Sequence, residues 1–239
     1  MAARLERFAT GVAAVAIAAG IAAPSAGAAS GPAVKPVQEL AMLVTSHKVF
    51  AAPKTHPRRV GSVRAWRPIT GAQTVLPVVG HANRAGVLWL RILVPGRPNG
   101  GSGWIAQRGT TLTTTSWSIV VRTSRRRAYV YRHGKLVRSL RAIVGKPSTP
   151  TPHGRFFVEE SVRMLSGAAG GPFALALSAR SNVLQEFDGG PGQIAMHGLA
   201  NLGGTLGTAI SHGCVRLSNR SIGWLVARVG AGTPVAIRN

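Results

Sequence analysis

The one cysteine of the chain, Cys214, ends the run Ser211-His212-Gly213-Cys214, and fourteen residues before that run begins stands a second histidine, in His197-Gly198. A thiol becomes a strong nucleophile when a base takes its proton, and imidazole is the usual partner because its ordinary pKa lies near neutrality. His197 and His212 are both candidates for that base. Spacing alone does not choose between them, although His212, two residues away in a bend, can project away from the sulfur. The amides of Gly213 and Cys214 lie in a glycine-containing turn, so they are expected to point outward, unpaired, where a developing oxyanion needs donors.

The same residues admit other chemistries. His197, His212 and Cys214 are three acceptable zinc ligands, but His-x-Cys with one remote His lacks both the C-x-x-C knuckle and the H-E-x-x-H helix. A free cysteine also packs like a small hydrophobe, so inert burial is the third reading.

The surrounding pattern shows what must position these groups. From about Gln38 to Arg108 the apolar runs LAMLVTS, VGSVRAW, TVLPVVG, VLWLRILV and GWIAQ are short and separated by Pro, Gly and Asn. Runs of that length and spacing predict strands, and residues 38–112 read as a small SH3-like β-barrel with Trp89 and Trp104 in its core. After the polar run TTLTTTS, alternation in WSIVVRT and RAYVYRHGKLVRSLRAIVG predicts a second β-rich unit over 116–239, with a tight hairpin turn at His133-Gly134. Three prolines in GKPSTPTPHGRF exclude a helix there and suit a stiff, extended connection into a strand. SNRSIGWLVARV, residues 218–229, alone has helical periodicity, capped by Ser218 or Asn219 and with Ile222, Leu225, Val226 and Val229 on one face. The fold class expected is therefore mainly β, in two units, with one short helix just after Cys214.

Composition limits the setting. Arg4 and Arg7 precede an apolar run from Ala9 to about Ala23, followed by small residues that include Ala26 and Ala28. That layout predicts a signal peptide over 1–28 and a Pro-containing linker over 29–37, because the run is shorter than the roughly 20 residues that span a bilayer. An exported protein with a single thiol forms no internal disulfide, which leaves Cys214 inert or working. The chain carries 29 Lys and Arg against 6 Asp and Glu, a formal charge of +23. Such a field favours polyanions. Export, the absence of a helix-turn-helix or zinc-finger pattern, and few aromatic platforms argue against nucleic acid and for an anionic cell envelope. Beyond the leader no segment is long and apolar enough to span a membrane, and no oligomerisation signal is evident.

The stretch from His197 to Arg216, with SHGCVRL, the preceding His-Gly and the spacing between them, resembles the signature of the L,D-transpeptidase (YkuD-type) catalytic domain. GKPSTPTPHGRF and LALSARSNVLQEFDGGPGQIAMHG are similar to the approaches to that site, and the resemblance spans about residues 116–239. It implies that Cys214 is the nucleophile and His197 the general base, oriented by the carbonyl of Gly198 rather than by a carboxylate. It further implies that Ser211 and His212 shape the thiol pocket, that amides around Gly213 and Cys214 form the oxyanion hole, and that Arg216 binds a substrate carboxylate. The implied reaction is acyl transfer between peptidoglycan stem peptides through a thioester, with no metal or cofactor and with carbapenem β-lactams as inhibitors. Water in place of the acceptor amine would make the same site an L,D-carboxypeptidase, and a non-catalytic, cationic cell-wall-binding protein is the remaining alternative. A loop over about Met164 to Gly192 is the candidate lid that would exclude water.

Overall fold

Two antiparallel-rich sheets each back a hydrophobic core, and one strand of the second sheet supplies side chains to both cores. The computed structural model describes residues 34–186 and 189–239; the expected signal peptide, residues 29–33 of the expected linker, and Asp188 lie outside them. The described residues pack as one compact unit.

The first sheet holds β1 (Gln38–Leu43), β2 (His47–Phe50), β3 (Arg59–Val63), β4 (Val75–Arg84), β5 (Val87–Leu93), β6 (Ser102–Ala106) and β7 (Thr110–Thr115), in the order β3-β2-β6-β5-β4-β1-β7. Every ladder in it is antiparallel. The polar run after Arg108 is thus a strand, β7, paired along the whole of β1. The expected apolar runs become strands here, but this ladder order does not itself establish the SH3-like closure expected over 38–112. Trp89 is buried as expected and meets Phe50 edge to face, whereas Trp104 is only half-buried.

The second part holds β8 (Trp117–Arg122), β9 (Arg127–Arg132), β10 (Lys135–Arg141), β11 (Val144–Gly145), β12 (Gly154–Arg163), β13 (Phe173–Arg180), β14 (Gln193–His197), β15 (Ala209–Ser211), β16 (Val215–Arg216), α1 (Asn219–Val226) and β17 (Pro234–Arg238). Eight of these strands run β10-β9-β8-β17-β12-β13-β14-β16, and β11 pairs with β15 separately. His133 (φ 49°) and Gly134 (φ 74°) form the turn between β9 and β10, the double left-handed conformation that two-residue hairpins require. The helix is shorter than the periodicity predicts. Ser218 caps it by accepting from Ser221 N–H, Ile222 and Leu225 face the core, and the helix gives way at Ala227 before Val229, which is buried nonetheless.

Strand β12 explains why the two sheets form one unit. Successive side chains on a strand point to opposite faces. Phe156 accordingly packs with Ile119, Val158 and Leu177 in the second core, while Phe157 packs with Leu76, Leu90 and Ile105 in the first. Truncating either ring to Ala in such a core costs about 3–5 kcal/mol. Next along the strand, the buried carboxylates Glu159 and Glu160 face basic and polar groups. Arg67, from the connection between β3 and β4, pairs with both, Arg180 of β13 pairs with Glu159 at 3.0 Å, and Thr70 donates its N–H (3.1 Å) and hydroxyl (2.9 Å) to Glu160. Paired and hydrogen-bonded carboxylates tolerate burial that isolated ones do not.

Candidate active site

Strands β14 and β16 run parallel and in contact, with Met196 opposite Val215 and His197 opposite Arg216. Met196 and Val215 are fully buried. Period-two alternation therefore turns Ala195, His197, Cys214 and Arg216 to the other face, where all four line one cavity of about 550 Å³. His212 lines the same cavity and is exposed. Residues distant in sequence meet here because a parallel ladder fixes their register.

Cys214 sits in the short turn between β15 and β16, and that turn is tied down from several sides. The buried Ser211 hydroxyl donates to the Cys214 carbonyl at 2.6 Å and accepts the Gly213 N–H at 3.2 Å. Thr149 and Thr151, from the proline-rich connection before β12, donate to the carbonyls of Ser211 (3.2 Å) and Gly213 (2.8 Å). Gly213 has φ +120°, and a Cβ there would lie 2.9 Å from Ile194 Cδ1, so the turn admits only glycine without a shift. The Gly213 amide is thus engaged by Ser211, contrary to the expectation that it points outward unpaired. The Cys214 sulfur itself accepts the Ala195 N–H at 3.4 Å.

His197 ends β14, and its Nδ1 lies 2.9 Å from the Gly198 carbonyl. A carbonyl can only accept, so Nδ1 carries the proton in the neutral ring and Nε2 is left with its lone pair. The imidazole is also packed from a side that sequence reasoning missed. Gly170, in the Met164–Pro172 connection between β12 and β13, lies so close that a Cβ would stand 2.7 Å from His197 Nδ1, and its φ of +86° favours glycine independently. Asn219, considered from the sequence only as a cap, accepts the Leu199 N–H at 2.8 Å and so fixes the turn that leaves His197. The Gly-Gly pair at 170–171 was the available signal for the first of these.

Electrostatics set the resting state. Burial pushes His197 below the ordinary imidazole value, the Gly198 carbonyl works against that, and the Arg216 charge adds to it. Burial pushes the Cys214 thiol up, partly offset by the Ala195 N–H and the charge of Arg216. Both directions favour a neutral thiol and a neutral imidazole at neutral pH. Arg216 donates to the Gly203 carbonyl at 3.3 Å, its Nε is buried without a partner, and among the described residues it has no carboxylate ion pair.

The connection expected as a single lid over Met164 to Gly192 is in fact two connections. Strand β13 occupies its middle, because FALALSAR alternates into the core and pairs with β12 and β14 on its two edges. Among the described residues no cluster of three or more His, Cys, Asp or Glu gathers as metal ligands, and no helix is long and apolar enough to cross a membrane.

Comparison with known proteins adds the family. Residues 116–237 match the family model described as YkuD, the L,D-transpeptidase catalytic domain. The chain is 32% identical over 120 residues to L,D-transpeptidase 1 of Mycobacterium tuberculosis, covering 45% of each chain. It is 31% identical over 127 residues to the putative L,D-transpeptidase YkuD of Bacillus licheniformis, covering 52% of this chain and 67% of that one. The match thus spans about half the length of the mycobacterial relative. Among solved structures, L,D-transpeptidase 3 from Mycobacterium tuberculosis, in complex with a faropenem-derived adduct, aligns at 18% identity with a TM-score of 0.42, covering 68% of this chain and 94% of that one. Because the family model covers more than half of the 239 residues, the chain belongs to the YkuD L,D-transpeptidase catalytic-domain family.

Proposed function

We propose that this protein is an exported cysteine L,D-transpeptidase that joins peptidoglycan stem peptides by acyl transfer through a thioester on Cys214. The observation that carries the reading is the β14–β16 register, which brings His197, Cys214 and Arg216 to one face of one cavity.

The chemistry follows from the groups present. His197 Nε2 takes the thiol proton while sulfur adds to the carbonyl carbon of the donor tetrapeptide's third residue, and the charge forming on that oxygen is met by the Cys214 N–H. The imidazolium returns the proton to the departing amine, D-alanine leaves, and a thioester remains. A side-chain amine of a second stem then attacks the thioester, His197 takes the amine proton, and the thiol is regenerated as the new amide forms. One peptide bond is exchanged for another amide, so no cofactor is required. Arg216 lines the cavity and, with no carboxylate ion pair among the described residues, is the cation available to a substrate carboxylate. A strained β-lactam amide, a carbapenem's included, would acylate the same sulfur.

Export to the cell envelope is part of the proposal, supported by the layout of residues 1–28 and by a net charge of +23 suited to anionic wall polymers. The test is incubation of the purified protein with a tetrapeptide donor, with and without an acceptor amine. Cross-linked dimer that requires Cys214 supports transpeptidation; tripeptide alone, at any acceptor concentration, assigns the L,D-carboxypeptidase reaction instead. If neither forms, while binding to isolated cell wall survives Cys214→Ala and fades with salt, the protein is a cationic wall-binding protein.

A further inference from the structure

We infer that Arg97 and Asn99, carried between two strands of the first sheet, position the wall of the cavity that receives the donor peptide, so that the N-terminal part of the chain contributes to the substrate site. This deepens the proposed transpeptidase reading and rests on it. The two residues lie in the connection between β5 and β6, more than 80 positions from the groups they hold.

One guanidinium gathers three carbonyls of a single loop. Arg97 Nη2 donates to Ser181 (2.8 Å) and Leu184 (3.1 Å), and Nη1 donates to Pro191 (3.1 Å). Asn99 grips the foot of the same loop from both sides, donating to the Arg180 carbonyl at 2.7 Å and accepting the Arg180 N–H at 2.8 Å. Its Nδ2 also donates to Asn182 Oδ1 at 3.0 Å. Among the described residues the loop's own ties are Ser181 N–H to the Gly192 carbonyl at 2.8 Å, Gly192 N–H to the Gly190 carbonyl at 2.8 Å, and the Ser181 hydroxyl accepting from Val183 and Leu184 N–H. Ser181, Leu184, Gly192 and Gln193 line the cavity that also contains Cys214.

The reacting groups are held by different contacts. Cys214 is fixed through Ser211, Thr149 and Thr151, and His197 through Gly198 and Gly170, none of which touches Arg97. Loosening the clasp therefore disturbs where the donor lies without moving the thiol or the base. Loss of such contacts appears in KM, whereas loss of a catalytic group appears in kcat. A lysine at position 97 has a single compact ammonium that cannot span three carbonyls as the planar fork does.

The experiment compares the full chain with Arg97→Ala, Arg97→Lys and Asn99→Ala. Three readouts are needed: steady-state kinetics on a tetrapeptide donor, alkylation of Cys214 by iodoacetamide, and amide hydrogen exchange of residues 181–186 and 189–192. For Arg97→Ala we expect KM about tenfold higher with kcat within about twofold, the size of losing one or two net hydrogen bonds. Alkylation should stay at the wild-type rate, and exchange in the two stretches should rise at least about tenfold with the cores unchanged. Arg97→Lys should recover little, and Asn99→Ala should move KM and exchange in the same direction. Unchanged KM and exchange in Arg97→Ala, or a fall in kcat with KM constant, overturns the inference. Should the wild type itself turn over no tetrapeptide, the transpeptidase reading fails, and the exchange result alone decides whether Arg97 holds the wall.

Discussion

His197 and Arg216 stand directly opposite one another across the parallel β14–β16 ladder, so the imidazole proposed as the base and a permanent cation line the same cavity as the thiol. Each is set there by backbone register and not by a hydrogen bond between side chains. The cation opposes protonation of the imidazole, adding to the effect of burial there, and favours the thiolate, partly offsetting the effect of burial on Cys214.

The first prediction concerns pH. In the proposed mechanism the productive form is neutral imidazole with protonated thiol, so acylation should rise through a pKa below the ordinary imidazole value of 6.5 as His197 loses its proton. It should then stay level until the pH passes the ordinary thiol value of 9.0, above which Cys214 titrates. Arg216→Gln removes a positive charge that helps to lower His197, so its acid limb should move to higher pH. A pH–rate profile of single-turnover acylation checks this, and an unmoved acid limb would contradict it.

Gly170→Ala should act on the base. The new Cβ would collide with Nδ1 of His197 and would occupy a left-handed φ. Displacing a catalytic group by about 1 Å can cost on the order of 100-fold, which is the loss expected in kcat. Because the thiol is anchored elsewhere, iodoacetamide should still label Cys214 in the variant.

Ser211→Ala should act on the turn. It leaves the buried Gly213 N–H and the Cys214 carbonyl each without the hydroxyl that satisfies them. Stranding buried polar groups costs about 1–3 kcal/mol, measurable as a lower denaturation midpoint, and activity should fall with it.

Arg67→Ala should be the most disruptive of these substitutions. It removes the cation that pairs with Glu159 and Glu160 where β12 meets the first sheet, leaving Glu160 with Thr70 alone. Breaking one side of a buried pair costs about 3–5 kcal/mol, and chemical denaturation should register it. Arg67→Ala together with Glu160→Gln should recover part of the loss, since the second change removes the orphaned charge.

What could be read from the sequence was mostly local. The Ser211–Cys214 turn, the hairpin at His133-Gly134 and the Ser218 cap each depend on a few adjacent residues whose types determine the backbone. Even there one detail differed: nothing in the run SHGC says that the serine hydroxyl turns back onto the Gly213 amide. The remainder depended on pairing at a distance. TTLTTTS has no apolar alternation, yet it becomes β7 because β1 has an open edge. The strand within the supposed lid was obscured by the glycines, prolines and polar residues on either side of FALALSAR. Arg97 was one arginine among many in a strongly basic chain, and its partners are backbone carbonyls, which carry no residue-type signal.

The most direct measurement is intact-protein mass spectrometry of the folded protein after exposure to a carbapenem, with Cys214→Ala beside it. The account predicts one added acyl mass on the wild type, mapped to Cys214, and none on the variant. No adduct on a folded wild type, or an equal adduct on Cys214→Ala, would contradict it, because a thiol that cannot open a strained amide will not open an ordinary peptide bond.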